Sequence, residues 1–302
     1  MRNLILMALI VISTFTACKK DSLVNGSKLS LTEFEQQFSV APQSFNGVAG
    51  TAFSITGTKG IKIDFPANAF LDASNNPVTG NIKLSLKEVL SKRDILLSGK
   101  MTESNGQILV SGGEFQILAF QNGALLKLNP SATVITKVPT TLSTEPMDLF
   151  EFKQTVGADS TWILNQKARV TSEPSYYQFS LPNFGWVNCD YFYSNPNPKT
   201  MLTASPTYAT TIPSIKDQKA YLVFENINSV IGLPFQISLN KHQSYLNSMP
   251  IGLKGKLIII SVGVDDVIYF GAKSFTVTNN MHIEVPMAVG DQATIDSYLN
   301  TL

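Results

Sequence analysis

Between Gly60 and Leu128 apolar and polar residues alternate one by one. Ile61, Ile63 and Phe65 fall on one side of a line whose other side holds Lys62 and Asp64. Ile82, Leu84 and Leu86 stand likewise against Asn81, Lys83, Ser85 and Lys87, and Phe115, Ile117 and Ala119 against Glu114 and Gln116. A period of two puts one face of an extended chain in a core and the other in water, which predicts half-buried antiparallel strands. Pro, Gly, Asn and Ser interrupt these runs roughly every ten residues, the spacing of a β-sandwich. Asn105-Gly106 and Asn122-Gly123 predict tight hairpins, because both residues of each pair tolerate positive φ.

The same alternation recurs around Phe53 and Ile55, at Leu109-Val110, and in 125–128, 132–138 and 148–156. Between Ser160 and Phe192 the chain is richest in aromatic residues, among them Trp162, Tyr177, Phe179, Trp186 and Tyr191, and Asn195-Pro196-Asn197-Pro198 then reads as loop. A later block, 219–284, repeats the strand logic, with a count and spacing like an immunoglobulin-like or transthyretin-like sandwich. Ser30-Leu31-Thr32-Glu33 has the spacing of a capping box that would put Leu31, Phe34 and Phe38 on one helix face. Phe38, Val40 and Phe45 could equally be an entering strand. Asp291 caps a short terminal helix in which Ile295, Leu299 and Leu302 share a side. The expected fold is therefore all-β: two or three antiparallel β-sandwich domains in tandem, with a short C-terminal helix. The expected boundaries are a sandwich over 30–157, an aromatic-rich β or linking region over 158–215, and a β-domain with the terminal helix over 216–302.

Composition narrows the class. Charged residues make up 15% of the chain and apolar ones 44%, which argues for a packed protein and against extended disorder. The formal net charge is +1, so no electrostatic stripe invites nucleic acid.

The N-terminus has its own pattern. Met1-Arg2-Asn3 supplies a positive charge, Leu4 to Phe15 an apolar run, and Thr16-Ala17 small residues just before Cys18. That layout predicts a signal peptide over 1–17. The ending Phe15-Thr16-Ala17-Cys18 resembles the bacterial lipobox, which implies that Cys18 is acylated and becomes the first mature residue, followed by a polar tether over 18–29. Cys18-Lys19-Lys20-Asp21 is similar to the start of Bacteroidetes outer-membrane lipoproteins. Lys19 stands where an inner-membrane retention signal has Asp, so the resemblance implies anchoring in the outer membrane, with the periplasmic and the surface face both open. A plain secreted protein and an uncleaved anchor are the alternatives.

A second resemblance lies in Ile61 to Leu86. An alternating strand, the corner Phe65-Pro66-Ala67-Asn68-Ala69-Phe70, a loop ending in Thr79-Gly80 and a second strand from Ile82 to Leu86 resemble the ZU5-type β-sandwich of cytoskeletal adaptors, netrin receptors and death-domain scaffolds. The resemblance implies a module for protein contacts. Some scaffolds of that family cleave themselves at a His-Phe-Ser site. Gln178-Phe179-Ser180 carries Gln in place of the base, so no cleavage is expected.

Candidate chemistry is sparse. Nucleophilic catalysis needs a hydroxyl or thiol, a base and an orienting group, and beyond the leader the chain has only His242 and His282, with Cys189 as the one thiol besides Cys18. Cys189 is expected to be a small buried residue. Neither His-Glu-x-x-His nor paired Cys suggests zinc. Asp72 to Asn76 resembles a calcium loop faintly, but Pro77 and Lys83 stand where that loop needs Gly and Glu. Asp265-Asp266 reads as a turn. No dinucleotide or Walker fingerprint is present, so no cofactor and no metal are expected. Trp186 and Tyr191 are the candidate binding residues, weighed against a role in the core. The function these features predict is a membrane-anchored lipoprotein acting as a non-catalytic interaction or structural module at the cell envelope. Its partners would be the bilayer through acylated Cys18, and envelope proteins or glycans. A carbohydrate-binding lipoprotein is the alternative, and a hydrolase with an unrecognised site a weaker one.

Overall fold

A computed structural model describes residues 30–142, 145–153, 161–212 and 214–302. The leader, Cys18 and the tether lie outside the described residues. What is described is all-β, built of antiparallel sheets with three short helices, one of them C-terminal.

The first block is a sandwich. One sheet runs in the order Gln43–Ala49, Gly80–Val89, Gln107–Gln121, Gly185–Phe192, Asp148–Lys153, Thr161–Leu164; the other runs Thr171–Glu173, Tyr176–Ser180, Ile135–Pro139, Lys62–Phe65, Phe53–Thr56. The strands of the aromatic segment thus complete both sheets of this block. Its core is made by the apolar halves of the alternating runs: Ile63 and Phe65 face Ile82, Leu84, Phe115 and Ile117, all at most 3% exposed. Pro66 ends its strand for want of an N–H, and Asn68 turns the chain at φ 61. Phe70, fully buried, then returns over the sandwich end and stacks on Phe53 at 6.0 Å and Phe184 at 5.7 Å.

Gln107–Gln121 is continuous where the sequence suggests two runs. Ser111-Gly112-Gly113 does not break it. The pairing with Gly185–Phe192 shifts register between Asn188 and Asp190, and Gly113 adopts φ 141. This is a β-bulge, which bends a long strand without ending it. A Cβ on Gly113 would lie 2.6 Å from Val138 Cγ1, so only glycine fits.

The second block is a single sheet of eight strands rolled over a second core of Leu202, Leu222, Phe224, Leu257, Ile259, Ile283 and Val285. Ile215–Phe224, Lys254–Gly263, Ile268–Thr276 and Met281–Gly290 pair antiparallel in succession. Leu202–Tyr208, however, runs parallel to Met281–Gly290, a local exception to the antiparallel expectation. A parallel pair needs a long crossover, and the intervening strands supply it.

The helices lie between the blocks. In α1 (Leu31–Phe38) the capping box forms: Ser30 Oγ accepts from Glu33 N at 3.2 Å and Glu33 Oε2 from Ser30 N at 2.8 Å. The chain re-enters as a strand only at Gln43, which resolves the ambiguity at Phe38. Helix α2 (Lys92–Ser98) is not anticipated by the alternation, yet it carries its own capping box, Ser91 with Asp94, and a left-handed Gly99 at its end. In α3 (Gln292–Leu299) Asp291 accepts from Thr294 N at 2.8 Å, and Ile295 and Leu299 are fully buried. Leu31, Phe34, Ile95, Leu96, Leu97, Ile295 and Leu299 form one apolar layer with Val89 of the first block and Tyr221, Val223, Ile258 and Ile260 of the second.

Candidate functional site

A cleft of ≈ 450 Å³ opens where α1, the hairpin around Asn105-Gly106 and the second block's strand Ile215–Phe224 meet. Its floor is polar. In α1 the buried positions are Leu31, Phe34 and Glu35, spaced i, i+3, i+4, so the helix that packs Leu31 also aims a carboxylate at the second block. Lys219 and Tyr221 alternate along the facing strand and meet it together. Lys219 Nζ donates to Glu35 Oε2 at 2.7 Å and the Tyr221 hydroxyl donates to Oε1. Burial, followed by the adjacent Glu35 charge, pushes the Tyr221 phenol well above its usual range, so it stays a donor.

Beside this group lies His242, 1% exposed. Its Nδ1 donates to the Leu233 carbonyl at 2.7 Å, which leaves Nε2 to accept from Gln218 Nε2 at 2.7 Å. The chain continues: Ser261 Oγ donates to Gln218 Oε1 at 3.0 Å and the Tyr208 hydroxyl to Ser261 Oγ at 3.3 Å. Burial lowers the His242 pKa, so the ring is held neutral. Both ring nitrogens are thereby committed, and neither meets a hydroxyl nucleophile or a carboxylate. The rim is apolar. Phe152, Phe235, Tyr245, Met101 and Pro234 line it, and Phe235 sits edge-on to His242 at 5.2 Å. A small polar floor under an aromatic rim suits a ligand held by contact area and a few fixed hydrogen bonds.

The residues singled out from the sequence are dispersed. His282 is exposed and bonds Thr203 Oγ1 at 2.9 Å through Nδ1. Cys189 is fully buried, and burial pushes its thiol well above its ordinary range. Trp186 is half-buried against the helix layer, with the Lys87 and Lys100 ammonium groups 5.8 and 5.6 Å from its ring centroid. Tyr191 is half-buried on the first core and lines a separate cleft of ≈ 530 Å³ with Lys59, Pro139, Ser111 and Asn228. Trp186 and Tyr191 therefore do not share a site. Trp162, Tyr177 and Phe179, of the same aromatic stretch, are core.

The remaining motifs are turns and strand. Asp72 Oδ1 accepts from the amides of Ser74 and Asn76, both at 2.8 Å, and Asn75 takes φ 68. Asp265 Oδ1 accepts from Val267 N at 3.3 Å, while Asp266, at φ 64, pairs with Lys216. Gln178, Phe179 and Ser180 lie within strand Tyr176–Ser180. Among the described residues no group of three or more His, Cys, Asp or Glu side chains could hold a metal ion.

Two of the buried acids, Glu114 and Asp190, lie on paired neighbouring strands. Glu114 occupies a polar position of its strand, which predicts exposure, yet it is fully buried under α2, where Ser98 Oγ donates to its Oε1 at 2.9 Å. Asp190, also fully buried, accepts from Asn188 Nδ2 at 2.6 Å. Glu114 Oε2 and Asp190 Oδ1 have no hydrogen-bond partner. Burial raises both carboxyls, Glu114 well above its ordinary value and Asp190 to about 8. Comparison of the chain with protein-family models, curated proteins and solved structures gives no match.

Proposed function

We propose that this protein is a lipid-anchored, non-catalytic interaction module of an outer membrane, which takes its partner in the cleft floored by Glu35, Lys219 and Tyr221. The observation that carries the site is the convergence of three elements on one polar floor beneath the aromatic rim of Phe152, Phe235 and Tyr245. The commitment of both His242 nitrogens to Gln218 and Leu233 supports binding over nucleophilic chemistry. The ZU5-type resemblance of Ile61 to Leu86 supports a protein partner. A glycan partner draws no comparable support, because Trp186 has two lysine ammonium groups against its ring instead of an open stacking face.

Anchoring rests on the Phe15-Thr16-Ala17-Cys18 leader end. Acyl chains contribute about 0.8 kcal/mol per buried methylene, enough for firm attachment when several are present. Mass spectrometry of the membrane fraction should find Cys18 acylated at the mature N-terminus; an intact Met1 there refutes the anchor. For the cleft, a photo-crosslinking residue at Phe152 or Tyr245 should yield one discrete adduct in intact cells, and the same residue at exposed Val289 none. Equal adducts at all three positions, or none at any, reject the cleft as the partner site.

A further inference from the structure

Helix α2 ends over a carboxyl that no counter-ion holds. Glu114 is fully buried beneath it, and its Oε2 has no hydrogen-bond partner. Its Oε1 meets Ser98 Oγ, 2.9 Å away in the last turn of the helix. That hydroxyl also stands 2.8 Å from the Ile95 carbonyl and accepts from Lys100 N at 2.9 Å. A hydroxyl has one hydrogen, so Ser98 can donate to Ile95 or to Glu114 but not to both. A protonated Glu114 removes the conflict by donating to Ser98 Oγ itself. An ionised one takes the hydrogen from Ile95 and still leaves Oε2 bare, and a buried carboxylate in that state is costly. Burial accordingly holds the proton on Glu114 to well above the ordinary carboxyl range.

The charged groups around Glu114 differ in how they are held. Asp94 of α2 is paired with Lys59, and Asp190 on the neighbouring strand is fully buried; when ionised, both oppose a charge on Glu114. Lys87, on strand Gly80–Val89, donates to Ser39 Oγ at 3.1 Å. Glu35 of α1, whose charge reaches Lys100, is taken by Lys219 and Tyr221. Lys100 is held least. It follows the left-handed Gly99, and its charge acts on Glu114. Among the described residues its ammonium makes no ion pair and no hydrogen bond. It rests on rings, 4.4 Å from the centroid of Phe152 and 5.6 Å from that of Trp186.

We propose that loss of the Glu114 proton draws the Lys100 ammonium off the Phe152 and Trp186 rings and onto the carboxylate. A buried charge without a partner outweighs a cation–π contact, and the backbone of Lys100 is already one hydroxyl away from Glu114, through Ser98. Gly99, Met101 and Phe152 line the cleft proposed above for a partner, so moving the ammonium that lies on Phe152 reshapes its rim. That consequence for binding rests on the cleft reading; the movement of the lysine does not.

The test is a pH titration by NMR of the full chain in detergent micelles, with lysine and glutamate carrying 13C and 15N. Lys100 is identified by its absence in Lys100→Met. At acid pH the rings should shift its ε-methylene signal upfield. As pH rises that shift should vanish at the midpoint of the Glu114 side-chain carboxyl, while the Lys100 nitrogen still reads as an ammonium. The shift should persist over the same range in Glu114→Gln and vanish as in the wild type in Asp190→Asn. Lys100→Met, which removes the counter-ion, should raise the Glu114 midpoint by about one pH unit, a ~tenfold gain in proton affinity. A ring shift that persists in the wild type until Lys100 itself titrates overturns the proposal, and so does one lost equally in Glu114→Gln. An unmoved Glu114 midpoint in Lys100→Met overturns it without reliance on the Gln variant. None of these readouts involves a partner, so their failure leaves the cleft reading standing, and failure of the crosslinking at Phe152 and Tyr245 leaves the lysine movement standing.

Discussion

Asp190 should make the stability of this protein fall as the solution becomes alkaline. The carboxyl is fully buried, with Asn188 Nδ2 on one oxygen at 2.6 Å and no partner on the other. Burial raises its pKa from 3.8 to about 8. The folded value exceeds the unfolded one, so between them the native state keeps a proton that the unfolded chain releases. The contribution is fully present below 3.8 and is lost as pH rises through about 8. At ~1.4 kcal/mol for each tenfold difference in proton affinity, the whole window is worth about 6 kcal/mol. Glu114, buried nearby, is raised for the same reason.

Asp190→Asn isolates the effect. The amide oxygen can accept from Asn188 as the carboxyl does, and the amide nitrogen stands in for the protonated oxygen. Urea midpoints followed by the fluorescence of Trp162 and Trp186, both in the first block, should fall in the wild type between about pH 5 and about pH 9. In the Asn variant the fall should be smaller by several kcal/mol, and at the alkaline end the variant should be the more stable protein. Parallel pH profiles of wild type and variant would refute the assignment, because the titrating group would then lie elsewhere.

Further perturbations probe other parts of the frame. Glu88 is fully buried and accepts from the amides of Lys59 and Ile61 and from Gln43 Nε2, each at 2.8 Å; Glu88→Ala strands these donors and should cost roughly 3–5 kcal/mol in thermal or urea denaturation, a cost below about 1 kcal/mol counting against it. Trp162→Ala empties the small core beneath Phe150 and Leu109 and should cost about 3–5 kcal/mol in the same assay. His242 is held below its usual pKa of 6.5 by burial, so its contribution is complete above that value and declines as pH falls through the folded pKa. Titration of its ring protons by NMR should give a midpoint below 6.5; a midpoint at or above that value would remove the buried neutral ring from the account.

The alternating runs translated into strands because each had one face in a core. Ile61 to Phe65, Ile82 to Leu86 and Phe115 to Ala119 are such runs, and Asn105-Gly106 and Asn122-Gly123 turn with positive φ at every residue. Helix α2 escaped because three consecutive apolar residues, Ile95, Leu96 and Leu97, are all buried, so no periodicity shows. Its signal was local: Ser91 and Asp94 at capping-box spacing, with Gly99 as the stop. The same helix misled the reading of Glu114, since alternation reports which side of a strand is polar and says nothing of what later covers it. Glu35 was legible only as the i+4 partner of Leu31 on a short apolar face, and its meeting with Lys219 and Tyr221 spans over 180 positions of sequence. Pairings at that distance come from packing and leave no mark in spacing.

The helix layer also constrains how the cleft can be read. Glu35 closes the floor and at the same time ties α1 to the second block, with Leu31 N donating to Asp217 at 3.2 Å and Arg93 of α2 pairing with Asp296 of α3 along the same seam. Asn228 of the second block donates to the carbonyls of Leu90 and Ser111 in the first, at 3.2 and 2.9 Å. The seam is therefore a polar lattice around one apolar layer, and the floor residues are members of it. Removing Glu35 or Tyr221 would loosen the docking of α1 as surely as it would alter a ligand contact, so loss of binding in such variants is ambiguous. Phe152 and Phe235 stand outside that apolar layer. Truncating them changes the rim while the seam keeps its bonds, which makes rim variants with unchanged urea midpoints the decisive probes of what the cleft holds.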